Sequence, residues 1–453
     1  MRPKRKIIIS LILLFAGFNY LYAQDSTLIG KTINWDLVKC IDYAKKNNIQ
    51  INSLRLSALT SQQQYLLAKA SRLPNLSGSA SQNFEHANKN GGSSNNNSFT
   101  SGGTGSGLTA SGSYSLNSSV TLYNGNLINN TILQTNLEVQ SANLSVLQQE
   151  NDISLQLTQA YLTVLLDKEN IVYDTDLVNT AQAQVKLEQQ RYDVGSVARY
   201  ALIQLQAQHA TDQYTLVNAQ NTERGDLLTL KQLLLLPTDV NFDIIKPDTI
   251  VAIDTVAAFH DAERSALKYF PDVKIGELGV KSAQYGVDIA RAGYKPTLTA
   301  GASLNSGYLS DQGNLPNQLN NNFNQQLGFT LAVPIFTRRV VKTQVEEAKI
   351  QVDQAQLNLK NAAFTLSQTV ERAYINVENA KSQYAAALEQ YNFNKEGYRI
   401  ASEQLKVGVA NTVEFLLQKN LFIQAQQAFI QAKYNELLTL KIYDFYRGVP
   451  IKL

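Results

Sequence analysis

Two hydrophobic periodicities alternate along this chain, and the same order of them occurs twice. Leu76, Gly78, Ala80 and Phe84 alternate with Ser77, Ser79, Ser81 and Asn83, and Tyr114, Leu116, Val120 and Leu122 with Ser113, Ser115, Asn117 and Thr121. In the second half, Leu298, Ala300, Ala302 and Leu304 oppose Thr297, Thr299, Ser303 and Asn305, and Leu327, Phe329, Leu331 and Val333 oppose Gln326, Gly328, Thr330 and Ala332. A period of two places one apolar and one polar face on each strand. After each strand pair the period lengthens to that of a helix, without a proline from Asn126 to Asp193 and again from Arg339 to Lys406. At 1.5 Å per residue each such helix is about 100 Å long. The second carries a seam at Ala348, Val352, Ala355, Leu359, Ala362, Leu366, Thr369, Ala373, Val377, Ala380, Tyr384, Ala387 and Tyr391. Its spacings of four and three predict coiled-coil packing, with a 4-4 step at Thr369-Ala373-Val377 that locally corrects the supercoil.

The two halves register without a gap at an offset of 213 residues from Leu122–Pro237 to Ile335–Pro450, so that Val194-Gly195 falls on Val407-Gly408. Upstream an offset of 222 aligns Pro74 with Pro296 and Ala80 with Ala302. The offset changes within a Gly/Ser/Asn loop, where insertions cost least. Each unit reads helix, strand, loop, strand, long helix, turn, returning helix. The division is therefore 1–23 as an export signal, 24–249 as the first repeat and 250–453 as the second. The first repeat has strands about 74–86 and 111–123, a long helix about 126–193 and a tip at 194–196. In the second the strands are about 296–309 and 324–336, the long helix about 339–406 and the tip at 407–409. The first helices, roughly 35–72 and 257–294, weaken at Asn47-Asn48 and at Pro271, where a proline removes a backbone donor. The loops Glu85–Ala110 and Ser310–Asn322 are too polar to support a core.

Charge and composition narrow the class. Arg2, Lys4, Arg5 and Lys6, then an apolar run Ile7–Phe18, then Leu21-Tyr22-Ala23, form the three regions of a cleavable signal. The formal charge of +3 loses those four cations and becomes near −1, which removes any basic surface for nucleic acid. One cysteine, Cys40, allows no internal disulfide. His86, His209 and His260 lack ligand-spaced partners. No nucleophile elbow or phosphate loop is present, so neither enzyme activity, cofactor nor metal is expected.

Four strands cannot close a barrel, and an open edge cannot sit in lipid. The strands alone fit either a soluble sheet with one wet face or a membrane barrel wall shared by several chains. The duplication, the junctions Leu122-Tyr123-Asn124-Gly125 and Pro334-Ile335-Phe336-Thr337-Arg338, and the hairpin turns Arg191–Ser196 and Gln404–Val409 together resemble the TolC-like outer-membrane efflux proteins. The resemblance covers the whole mature chain. It implies a mainly α fold with β: a homotrimer whose twelve-stranded outer-membrane β-barrel continues into a twelve-helix periplasmic α-barrel. The implied function is a passive exit duct for a tripartite efflux pump or type I secretion system. Its implied partners are outer-membrane lipid, a periplasmic adaptor and, indirectly, an inner-membrane transporter. Carried over, Val194, Gly195, Val407 and Gly408 are the adaptor-docking tips. Glycine there also has a local reason, since a helix ending in αL needs no Cβ. The family's best-known gate pattern is only partly present. Its two carboxylates fall on Ala201 and Glu414, its tyrosine on Leu405 and its arginine on Ala410. Asp193, Arg199, Lys406 and Glu414 are then the candidate aperture charges. The rival reading is a secreted or surface-attached coiled-coil adhesin without a pore, for which apolar-out strands have no use.

Overall fold

A computed structural model describes residues 32–86, 108–247, 257–310 and 313–451. The export signal and most of the Glu85–Ala110 loop lie outside the described residues. In chain order the elements are β1 (Ile33–Trp35), α1 (Leu37–Asn47), α2 (Ile49–Ala70), β2 (Asn75–His86), β3 (Leu108–Tyr123), α3 (Leu127–Asp193) and α4 (Arg199–Leu233). Then follow β4 (Phe242–Ile244), α5 (Phe259–Tyr269), α6 (Pro271–Ala292), β5 (Thr297–Leu309), α7 (Leu315–Asn321), β6 (Asn324–Ala332), α8 (Val340–Val407) and α9 (Thr412–Tyr446). The order repeats once, as the duplication requires.

The helix breaks have local causes. Asn48 ends α1 and caps α2, its Oδ1 accepting from Gln50 N at 2.9 Å and Ile51 N at 3.2 Å. In the second unit Phe270 is extended and Pro271 opens α6, the position where its missing N–H costs nothing. The 67-residue α3 and 68-residue α8 run unbroken.

β2, β3, β5 and β6 form one antiparallel sheet in that order. Its register places Leu76, Ala80, Tyr114, Leu116, Val120, Leu298, Leu304, Leu327, Phe329 and Leu331 on one face. Ser77, Ser79, Ser113, Ser115, Asn117, Thr299, Ser303 and Gln326 lie on the other. On the polar face hydroxyls pair across strands, Ser79 with Ser115 and Ser81 with Ser113, both at 2.7 Å. The apolar face is left bare: Leu76 is 71% and Leu327 72% exposed. β2 and β6 are open edges within one chain. β6 stops at Ala332, four residues short of the sequence expectation, because Pro334 has no N–H to give the ladder. The Ser310–Asn322 loop contains the two-turn α7, which the sequence reading missed. Gln318 holds it to the strand, donating to Leu309 O at 2.9 Å and accepting from Leu309 N at 2.8 Å.

Below the sheet, α3 packs against α2 and α6 and then against its returning partner α4, while α8 packs against α6 and then α9. Midway, β1 pairs with β4 in parallel, and Trp35, Phe242, Leu157, Tyr161 and Leu230 form the main core. There Glu169 accepts from Lys246 at 2.9 Å, Lys433 at 3.1 Å and the Tyr434 hydroxyl at 3.0 Å. Burial works against its charge, but these three donors outweigh it and hold its carboxyl below the usual range.

The seam of α8 differs from its expected line in one step. Val370, not Thr369, is fully buried between Leu366 and Ala373, so the shift of register comes at Leu366-Val370. Further down, Tyr384, Tyr391 and Tyr398 recur every seventh residue and interleave with Phe429, Phe422 and Phe415 of α9. The centroids are 4.9–5.9 Å apart, within the range where rings attract. The matched positions of the first hairpin hold Ile171, Val178, Val185, Leu202, His209 and Leu216. Among the described residues no helix is long and apolar enough to cross a membrane.

Candidate functional site: the helical tips

Each long helix ends in the same hydrogen-bonded motif. After α3, Gly195 N donates to Tyr192 O at 2.9 Å and Ser196 N to Arg191 O at 2.9 Å. After α8, Gly408 N donates to Leu405 O at 3.1 Å and Val409 N to Gln404 O at 2.9 Å. Both are Schellman closures, and both glycines are left-handed, with φ of 74° and 78°. A Cβ on either would meet nothing within 4 Å. Glycine is therefore required by the backbone and not by crowding. Val194 and Val407 stand out from the turns at 79% and 73% exposure, two apolar side chains that nothing in the chain covers.

The four candidate charges are not joined to one another. Asp193 accepts from Gln189 Nε2 at 2.8 Å, and Lys406 pairs with Glu403 of its own helix at 2.8 Å. Arg199 and Glu414 open α4 and α9, exposed and without an ion pair among the described residues. Glu414 sits in the first turn of α9, where Asn411 Oδ1 accepts from its backbone N at 2.9 Å. A carboxylate in that turn complements the helix dipole.

A different residue, missed by the sequence reading, bridges the tips. Arg191 donates to Leu405 O at 2.8 Å and to Lys406 O, and lies 3.5 Å from the Glu188 carboxylate. Lys406 O, which α8 itself leaves unpaired, is thus capped by a cation from α3, and Leu405 O accepts from Arg191 as well as from Gly408 N. Glu188 is only 3% exposed, so it holds the guanidinium from the protein side. The signal available in the sequence was a lone arginine in a last helical turn, and this is its ordinary place.

Higher up, a second link joins the two hairpins. Lys419 of α9 is fully buried and meets Asp212 of α4, 5–6% exposed, at 2.5 Å. Gln208 Nε2 donates to the same carboxylate at 2.8 Å. Burial, then the nearby Asp212 charge, pushes the Asp174 carboxyl up. Burial also raises Tyr398, whose hydroxyl accepts from Gln184 Nε2 at 3.3 Å. Leu205, Ala401, Leu405 and Phe415 close a small apolar core between this pair and the tips. Paired turns, a bridging arginine and a buried ion pair make a clamped end, and among the described residues no group of His, Cys, Asp and Glu could hold a metal.

This geometry can be set beside known proteins. A family model described as outer membrane efflux protein matches residues 40–234 and 264–440. None of the curated proteins matches the chain. Among solved structures the chain is similar to CusC, with a TM-score of 0.77 at 16% identity over 95% of this chain and 96% of that one. It is similar to the outer membrane protein VceC from Vibrio cholerae, with 0.75 at 16% over 92% and 97%. It is also similar to the CmeC outer membrane channel of Campylobacter jejuni, with 0.75 at 20% over 91% and 86%.

Proposed function

The chain belongs to the outer membrane efflux protein family, and on that premise we propose that three copies close into one duct whose helical tips dock a periplasmic adaptor. The outer-membrane exit duct of an efflux pump is the role of the family. The assembly and the docking are the finer reading. The observation that carries it is the sheet: four strands with one apolar and one serine-rich face, open at both edges, continued by helices about 100 Å long. An open edge is untenable in lipid, and three chains supply twelve strands, enough for a water-filled lumen lined by the polar face. The duct is passive, its energy coming from an inner-membrane partner through the adaptor. The exposed Val194-Gly195 and Val407-Gly408 turns are the end-on surface such an adaptor reaches. The Arg191 bridge holds the two tips of each chain together, with Asp193, Arg199, Lys406 and Glu414 as the charges around the aperture.

Light scattering coupled to size-exclusion chromatography, corrected for bound detergent, tests the assembly. The expected particle carries three chains and is recovered from the outer membrane. A monomer that stays soluble after signal cleavage overturns the reading.

A further inference from the structure

Where the strands become helices, the charge of the chain is one-sided. The four junction segments 66–79, 118–130, 289–299 and 329–345 contain seven Lys and Arg and no Asp or Glu. Arg291 is engaged by Asp288 at 3.4 Å. The other six, Lys69, Arg72, Lys295, Arg338, Arg339 and Lys342, are exposed and have no ion pair among the described residues. Contacts place them at one level. Arg72 donates to Asn129 at 2.8 Å, Lys295 reaches Gly125 O at 3.4 Å, and Gly293 lies against Val341.

Three of these cations have a local explanation and three do not. Lys69, Arg72 and Lys295 stand at or just past the C-termini of α2 and α6, where cations complement the dipole. Arg338, Arg339 and Lys342 flank the N-terminus of the 68-residue α8, which has no acid in its first turn and no side-chain cap. Cations at the positive end of a long helix are unfavourable within the chain; Lys342 has the Glu346 carboxylate one turn on, and an external anion relieves Arg338 and Arg339. On the sheet side of Arg72 and Arg338 along the chain lie exposed apolar side chains: Leu73 at 67%, Ile335 at 96% and Phe336 at 84% exposure. Apolar and aromatic residues followed by cations are the profile of a membrane interface, the first at acyl-chain depth and the second at the headgroups.

We propose that this collar binds anionic phospholipid headgroups of the periplasmic leaflet of the outer membrane, with Arg338, Arg339 and Lys342 as its principal contacts. The proposal rests on the outer-membrane placement of the sheet. On β6 the exposed apolar positions Leu327, Phe329 and Leu331 are followed along the chain by exposed Val333 and Ile335, so lipid that covers them presents its headgroups to the cations beyond. Charge complementarity then selects anionic over zwitterionic lipid.

The test uses the full-length protein reconstituted into phosphatidylethanolamine vesicles containing a minor fraction of phosphatidylglycerol. Polymer-excised discs around the protein are analysed for the ratio of the two lipids. Discs of the wild type are expected to hold phosphatidylglycerol about fivefold above the bulk ratio, falling to bulk in R338Q/R339Q/K342Q and at high salt, and retained in R338K/R339K. Flotation of the vesicles reports insertion separately. Protein that inserts without enrichment overturns the collar alone, and protein that fails to float overturns the membrane placement and the collar with it. A triple variant that keeps its enrichment but shifts the reversal potential of the channel puts these cations on the lumen wall, which also overturns the proposal.

Discussion

Replacing Lys419 by methionine keeps the length of the side chain and removes its charge, leaving Asp212 buried with no cation. Breaking a buried pair from one side costs about 3–5 kcal/mol. Two features place this pair at the lower end. Asp212 retains the Gln208 amide at 2.8 Å, and the pair is held between just two helices, α4 and α9. At about 3 kcal/mol, the local opening equilibrium of α4 and α9 rises about 150-fold. Removing both charges reverses most of that, because well-packed apolar groups match or exceed a buried ion pair. D212L/K419M is expected within about 1 kcal/mol of the wild type. Hydrogen exchange followed by mass spectrometry on the membrane-inserted protein reads these openings peptide by peptide. The acceleration should be confined to peptides around Gln208–Asp212 and Phe415–Lys419. The exposed Lys406–Glu403 pair is the control, since removing it changes local stability by at most about 1 kcal/mol. If K419M exchanges less than about tenfold faster, or the double variant is as fast as K419M, the pair does not hold the two hairpins together.

Gly195→Val and Gly408→Val each force a β-branched residue to a φ near 75°, at a conformational cost of about 1–2 kcal/mol. Because a Cβ there meets no neighbour, the strain stays in the turn. Drug susceptibility should rise to that of a deletion strain while the trimer, measured on the same cells, keeps its level. Normal export in both variants makes the tips plain hairpins. Asp167 is buried, and burial, followed by the neighbouring Asp226 carboxyl, pushes its own carboxyl well above the usual range. With the folded value raised, the stabilising protonated form is complete below the ordinary carboxylate range and is lost as pH rises towards neutrality. Thermal stability should therefore fall across that interval, less steeply in D167N than in the wild type because Asp174 is also raised, and an identical decline in both discards Asp167 as a cause.

The parts of the fold that depend on local pattern were readable, and those that depend on lateral packing were not. Period-two alternation located the four strands of the antiparallel sheet and assigned their faces, because a one-residue slip would invert them, but gave no sign of the short β1 and β4. The breaks at Asn48 and Pro271 followed from backbone chemistry. Thr369 was mistaken for Val370 because seam spacing cannot tell which of two adjacent residues follows a change of supercoil. Lys419 and Asp212 are 207 residues apart and interrupt the repeat, standing where the other half has Gln206 and Ala425. Each taken alone looks like a solvated helix charge. The tip glycines were legible because αL closure leaves a sequence mark. The Arg191 bridge was not, since backbone carbonyls as acceptors leave none in their own sequence.

The interleaved rings of α8 and α9 give the duplication a mechanical meaning. In the proposed ring of three chains, gene doubling alone would make six equal hairpin staves, each as compliant as the next. Each ring pair adds about 0.5–1.5 kcal/mol beyond the area it buries, which the branched aliphatics at the matched positions do not. One stave of each pair is therefore stiff, and the other, with a histidine where its twin has Phe422, is the more pliable. A ring built this way deforms with threefold symmetry, as three rigid levers separated by three yielding strips.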